Sequence, residues 1–596
     1  MKWFGRVQRG AGQRKTFSRL IRFAAVPIAL VVVAATCGDS GESTDTPGGV
    51  STTSAPSTTL QPQTGGILNF AAYSHIAGLD PLVALGNGTS GAIQMAAVYD
   101  TLMRYDIATK SYKPQLAESI TSNADNTEWT LKLRAGVKFS DGTDFNAEAV
   151  RFGLQRHRSG TASGPTATTC VEFIACPRNS TSSGVYMALV KDVQAVDALT
   201  VKITLSEPWA TFPYALAAEP GMIPSPTALK KCDGTKNPNT CDFNLKPVGA
   251  GAFVVTAFKT GESIEMARNP SYWAGPAYLD GLKFVALGDL GGDKTYDALK
   301  TGTVNGAYLR VPLTVATAKT DKVIGFASID QAGEIMLLNE GVAVTCAAGK
   351  PEPLCIGKPD GPTPTTPATA NLKVRQAIAA AYNPTVFNER VYSSAGLPDT
   401  ALFQKSFPWD PGVPGPKYDL EAAKRLVAEA KAQGWNGSVR VLFTNSANDQ
   451  NAAVALEGML KAAGINATVD TSKDSTAQQA VVTTQKDFDL ARWGTSIGPD
   501  DSAIWAVAQN MSSTSTSNRP GFKSAAVDQA VKDLRSAKTD DQKKAAYKIV
   551  AEEYNAQLPW INFTAVETIK AFSPKVQGVV ASQRNNVYFD KAWLEK

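Results

Sequence analysis

Two stretches of this chain carry the spacing of reactive sites. Gly494-Thr495-Ser496-Ile497-Gly498 satisfies G-x-S-x-G, the turn that lifts a serine nucleophile between a strand and a helix. Residues 488–493 supply a strand before it, but Pro499-Asp500-Asp501 follows and disfavours a seamless helix. The base would have to be His75 or His157, the only two histidines. Both precede Ser496, the reverse of the chain order in hydrolases of this type. An exported serine hydrolase using Ser496 is therefore the minor alternative. Gly86-x-Gly88-x-x-Gly91 satisfies the dinucleotide spacing, but residues 79–88 are broken by Pro81 and read as a loop where a strand is required. No Gly-Lys-Thr/Ser phosphate loop occurs. Neither a catalytic residue nor a cofactor is expected.

Seven cysteines are present. The spacing of six suggests three local disulfides, Cys170 with Cys176, Cys232 with Cys241 and Cys346 with Cys355, each around a polar or Gly/Pro-bearing loop. Six cysteines allow about 15 connectivities, so nearest-neighbour pairing is an inference. Zinc is the rival, but there is no C-x-x-C and histidine is scarce, so no metal is expected.

Polar residues where strands end in loops are the better binding candidates. Tyr73, Ser74 and His75 end a first strand. Asn339 follows Met336-Leu337-Leu338. Trp493, Thr495, Ser496 and Asp500 end the strand 488–493. The elements that must position them are α/β. Around Asp419, an N-cap, an amphipathic helix runs to Gly434. Strands at 439–444, 465–469 and 488–493 alternate with helices at 452–463 and 476–485, which implies a sheet with helices on its faces.

The net charge of +5 comes from the N-terminus. Residues 1–36 hold seven basic residues and no acid, leaving about −2 for the remainder. The basic balance therefore gives no argument for nucleic acid. Residues 23–36 form an uncharged apolar run of signal-peptide length, and Cys37 follows Ala34-Ala35-Thr36. Residues 1–36 read as a signal peptide and Cys37 as the lipid attachment point of a membrane-anchored, extracytoplasmic protein. Residues 38–64 contain 12 Ser or Thr and no aromatic residue, so residues 37–64 read as a flexible tether. The cysteines then lie in an oxidising compartment, which favours disulfides.

Residues 129–154, WTLKLRAGVKFSDGTDFNAEAVRFGL, read as strand, turn and helix. Trp129, Leu131 and Leu133 alternate with polar residues, Asp141-Gly142 is a tight turn, and Asn146 caps a helix with Phe145 stapled onto Val150. The run resembles the signature of extracellular solute-binding proteins of the oligopeptide/dipeptide/nickel type, with Asp144 where Pro is usual and Ala149 where Asp is usual. Arg268-Asn269-Pro270-Ser271-Tyr272-Trp273, residues 298–309, Asn339 with residues 374–381, residues 418–430 and residues 540–560 resemble further segments of the family in order.

The resemblance implies a three-lobed α/β periplasmic-binding-protein-like fold with ligand between the first and third lobes. The first lobe would comprise 65–103, 216–331 and 562–596, the second 104–215, and the third 332–561. It also implies a monomeric receptor that hands a small solute, most often a short peptide, to ABC permease and ATPase subunits. In peptide-binding relatives an Asp three positions after a comparable Trp holds the peptide ammonium group. Here that position is Ser496, and Asp500 or Asp501 is the substitute. A metal chelate, a sugar or another small solute is the alternative ligand.

Overall fold

The computed structural model describes residues 61–82, 91–158, 187–232, 241–583 and 586–596. Cys37, Cys170 and Cys176 lie outside them. Among the described residues no helix is long and apolar enough to cross a membrane.

One mixed ten-stranded sheet runs through the first and third lobes. Its first-lobe half is built on Ile67–Ala72, which pairs in parallel with Gly281–Ala286 and Gly306–Leu309. Its third-lobe half contains Ser438–Thr444, Asn466–Lys473 and Leu490–Gly494, paired in parallel around Ser438–Thr444. Two long antiparallel strands, Ile324–Leu338 and Trp560–Phe572, belong to both halves. Their register shifts between Asp330 and Glu334. Such a bulge bends and twists a strand, and here it lies where one lobe passes into the other. Ala332 takes φ 48° within it, a left-handed conformation that a non-glycine residue adopts only when its surroundings impose it.

The second lobe is a four-stranded antiparallel sheet carrying the signature. Trp129, Leu131 and Leu133 point into its core, against Val201, Ile203 and Leu205 of Thr200–Leu205. Asn146 accepts the Ala149 N–H at 3.0 Å and starts the helix Ala147–Arg158. Asp141 closes the turn through the Thr143 N–H and also accepts Ser225 Oγ at 2.7 Å. Arg156 on the same helix reaches Asp80 of the first lobe at 2.9 Å, with both side chains fully buried. The Tyr272-Trp273 motif holds Asp100 through the Tyr272 hydroxyl at 2.7 Å and the Trp273 indole N–H at 3.2 Å.

The helix Leu420–Ala432 forms as its cap requires, with Asp419 accepting the Ala422 N–H at 2.8 Å. Gly434 follows at φ 97° and ends it. Cys346 and Cys355 are disulfide-bonded, their Cα atoms 5.4 Å apart. Cys241 is also disulfide-bonded; the side chain of Cys232 lies outside the description.

Candidate functional site

The loop after Leu490–Gly494 is knitted onto the bulge of the crossing strand. The Thr495 N–H donates to the Gly333 carbonyl at 3.2 Å, and Gln331 and Ile497 exchange backbone hydrogen bonds at 2.8 and 3.4 Å. Trp493 lies opposite Ile335 in the ladder, and its partly buried ring carries the Arg519 guanidinium 4.8 Å from its centroid. The Nε of Arg519 is buried without a hydrogen-bond partner. Burial lowers the Arg519 pKa to about 10, and burial together with Arg519 lowers that of Lys486 to about 8.

From the first-lobe side, Tyr73 meets Tyr308 edge-on, with centroids 5.9 Å apart, and Arg310 lies 5.7 Å from the Tyr73 ring. Tyr308 sits opposite Lys570 of the second crossing strand. Lys570 is 2% exposed, and its Nζ reaches Ser328 Oγ at 3.3 Å. Burial pushes its pKa down to about 7, opposed by the charges of Asp330 and Asp500. A charged chain closes the junction beside these groups. Arg310 donates to Glu334 at 2.8 Å, Glu334 also pairs with Arg492, and Arg492 Nε lies 3.1 Å from Asp449. The place where first and third lobes share strands is therefore aromatic, largely buried and rich in both signs of charge.

The sequence candidates divide across this geometry. Tyr73 and Trp493 come to the junction from opposite lobes, and Thr495 and Ser496 lie on the knitted loop. Thr495 Oγ1 accepts Asn510 Nδ2 at 3.3 Å. Ser74 and His75 instead line a small depression with Gln94, Phe258 and Phe284. Asn339 does not offer its amide to a solute. It is fully buried, donates to the carbonyls of Lys486 and Phe488, and accepts the N–H groups of Gly341 and Val342. Its position after a strand made it a candidate, but its four hydrogen bonds make it the brace of that turn. Asp500 is buried and accepts the Ser502 N–H at 2.9 Å, at the start of helix Ser502–Met511. Asp501 binds Lys543 at 2.6 Å and the Tyr112 hydroxyl at 3.0 Å, joining the third lobe to the second.

The serine-elbow spacing has different neighbours from those a hydrolase needs. The helix begins only at Ser502. His157 is buried in the signature helix, where burial lowers its pKa to about 3, and His75 is exposed at the end of the first strand. Neither histidine hydrogen-bonds to Ser496.

Sequence reasoning missed Tyr308, Arg310, Asp330, Arg519 and Lys570. Their one signal is a charge or hydroxyl inside an alternating strand or short loop, which usually marks a solvated face.

Two α/β lobes on shared strands, with a polar junction and a smaller lobe docked beside them, define a solute-binding protein of the periplasmic type. The family model for bacterial extracellular solute-binding proteins, family 5 (middle), matches residues 111–516, and the chain belongs to this family. It is 24% identical over 531 residues to heme-binding protein A of Haemophilus influenzae, covering 85% of this chain and 88% of that protein. It is 26% identical over 540 residues to the glutathione-binding protein GsiB of Escherichia coli, covering 88% and 94%. Among solved structures, the periplasmic binding protein DppA of Helicobacter pylori, in complex with the peptide STSA, superposes with a TM-score of 0.68 at 21% identity, covering 90% and 99%.

Proposed function

We propose that this chain is the solute receptor of an ABC importer. It captures a short peptide at the junction of the first and third lobes and delivers it to the permease and ATPase subunits without covalent chemistry. The observation that carries this reading is the buried, two-signed junction on the crossing strands. Lys570 and Arg519 supply cations for a carboxylate, Asp330 supplies an anion for an ammonium group, and Trp493 and Tyr73 supply flat apolar walls. Relatives in the family include proteins named for glutathione and for di- and tripeptides, which suits a small zwitterionic solute.

Mass spectrometry of solute released from the purified protein is expected to find a peptide. Trp493→Ala is expected to weaken that solute at least 30-fold in calorimetry, about the 2 kcal/mol of an aromatic anchor. An unchanged affinity places the site elsewhere. Turnover of ester or peptide substrates by the wild type, lost in Ser496→Ala, would favour the hydrolase instead.

We further propose attachment to the outer face of the membrane through lipidated Cys37, as the apolar run before it supports. Two acyl chains hold a protein stably while one does not. Cys37→Ala is expected to move the protein from the membrane to the soluble fraction; continued membrane attachment with an unmodified N-terminus overturns the anchor.

A further inference from the structure

The junction carboxylates differ in how they are engaged. Glu334 is held by Arg310 and Arg492. Asp501 is held by Lys543 and Tyr112. Asp500 accepts the Ser502 N–H at the start of a helix. Asp330 is 3% exposed, and its side-chain Oδ1 is a buried acceptor without a partner among the described residues. It lies at the edge of the bulge, opposite Val566 in the crossing-strand ladder, within electrostatic reach of Lys570, Tyr308 and Arg310. A buried carboxylate oxygen without a donor is costly, and native proteins normally satisfy such an atom. The next residue shows the usual arrangement: Gln331 accepts the Gln404 N–H at 2.9 Å and donates to Ser406 Oγ at 3.4 Å.

We propose that Asp330 is the carboxylate that receives the ammonium group of the solute, so that the crossing strand performs the recognition that the loop residue Ser496 cannot. This rests on the reading of the junction as the solute cleft and names the chemical class it takes: small solutes with a free amino group. The placement has a mechanical consequence. Asp330 lies on the strand shared by both lobes, so an ammonium bound there reports directly to the bulge about which the lobes meet. Lys570 lies near enough to Asp330 for their charges to act on each other. A zwitterionic head, ammonium toward Asp330 and carboxylate toward Lys570, is complementary to that arrangement.

The test uses the full-length protein and a pool of synthetic di- to tetrapeptides, presented with free and with acetylated amino termini. Retained peptides are identified by mass spectrometry, and the best is titrated by calorimetry. The wild type is expected to prefer the free form at least 10-fold. Asp330→Asn is expected to lose 10- to 100-fold for the free form and to discriminate poorly between the two, while Asp500→Asn keeps the discrimination. Equal binding of free and acetylated peptide by the wild type overturns the proposal even if the variant fails to fold, and leaves the peptide reading standing. Discrimination lost in Asp500→Asn and kept in Asp330→Asn assigns the ammonium group to Asp500 and also overturns it. Retention of no peptide by the wild type overturns the peptide reading and this assignment with it.

Discussion

Lys570→Met is expected to make the empty protein more stable near neutral pH and to weaken solute binding. Lys570 is buried on the crossing strand Trp560–Phe572, with Ser328 Oγ at 3.3 Å and the Tyr308 ring 5.8 Å from its Nζ. Burial lowers its pKa to about 7, and Asp330 and Asp500 only partly oppose this. An unfolded lysine titrates near 10.4. Between these values the unfolded chain binds the proton and the folded one does not, so wild-type stability should rise as pH climbs from about 7 to about 10. Below about 7 both states hold the proton and this contribution is flat, with the cost of the buried charge fully present. The whole span is on the order of 4 kcal/mol. Methionine keeps the length of the side chain and removes the titration. Urea denaturation from pH 7 to 10 should show the wild type gaining on the variant as pH rises, from a less stable start. Parallel curves would mean that Lys570 titrates normally. Stability gained with affinity lost is the pattern expected of a charge that serves the solute.

Glu334→Gln is expected to act in the opposite direction, with a loss of about 3–5 kcal/mol. Glu334 has 8% side-chain exposure and is shared by Arg310 of the first lobe and Arg492 of the third. Neutralising it leaves two guanidinium groups facing each other at the bulge, with Asp449 answering only Arg492. The Lys259–Glu262 pair, at 3.4 Å with side chains 58% and 68% exposed, supplies the control. Lys259→Ala should cost under about 1 kcal/mol, because water screens an exposed pair. Equal losses in the two variants, read as urea midpoints at one pH, would show that the junction network contributes no more than a surface pair.

Much of the local structure was legible because its causes are local. The alternation of Trp129, Leu131 and Leu133, the Asn146 and Asp419 caps and the Gly434 stop each depend on a few neighbouring residues, and each forms as read. The short loop between Cys346 and Cys355 likewise brings its own ends together. On the surface of the same helix Glu421 pairs with Lys424 at 2.8 Å, one turn along.

The site divides along the same line. The sequence alone placed Tyr73 and Trp493 at the ends of strands, and both elements form. It could not show that Asn339 and Asp501 are already committed, because their partners come from segments as distant as Phe488 and Tyr112. Nor could it find Lys570, Asp330 or Arg310. Period-two alternation fixes which residues share a face of a strand. Whether that face meets water or another lobe is decided by strands paired across more than 200 residues, such as Ser328 with Thr568. On an exposed face Lys570 would be one more solvated lysine. The closing of two lobes around shared strands removes the water, lowers its pKa and leaves Asp330 Oδ1 without a donor.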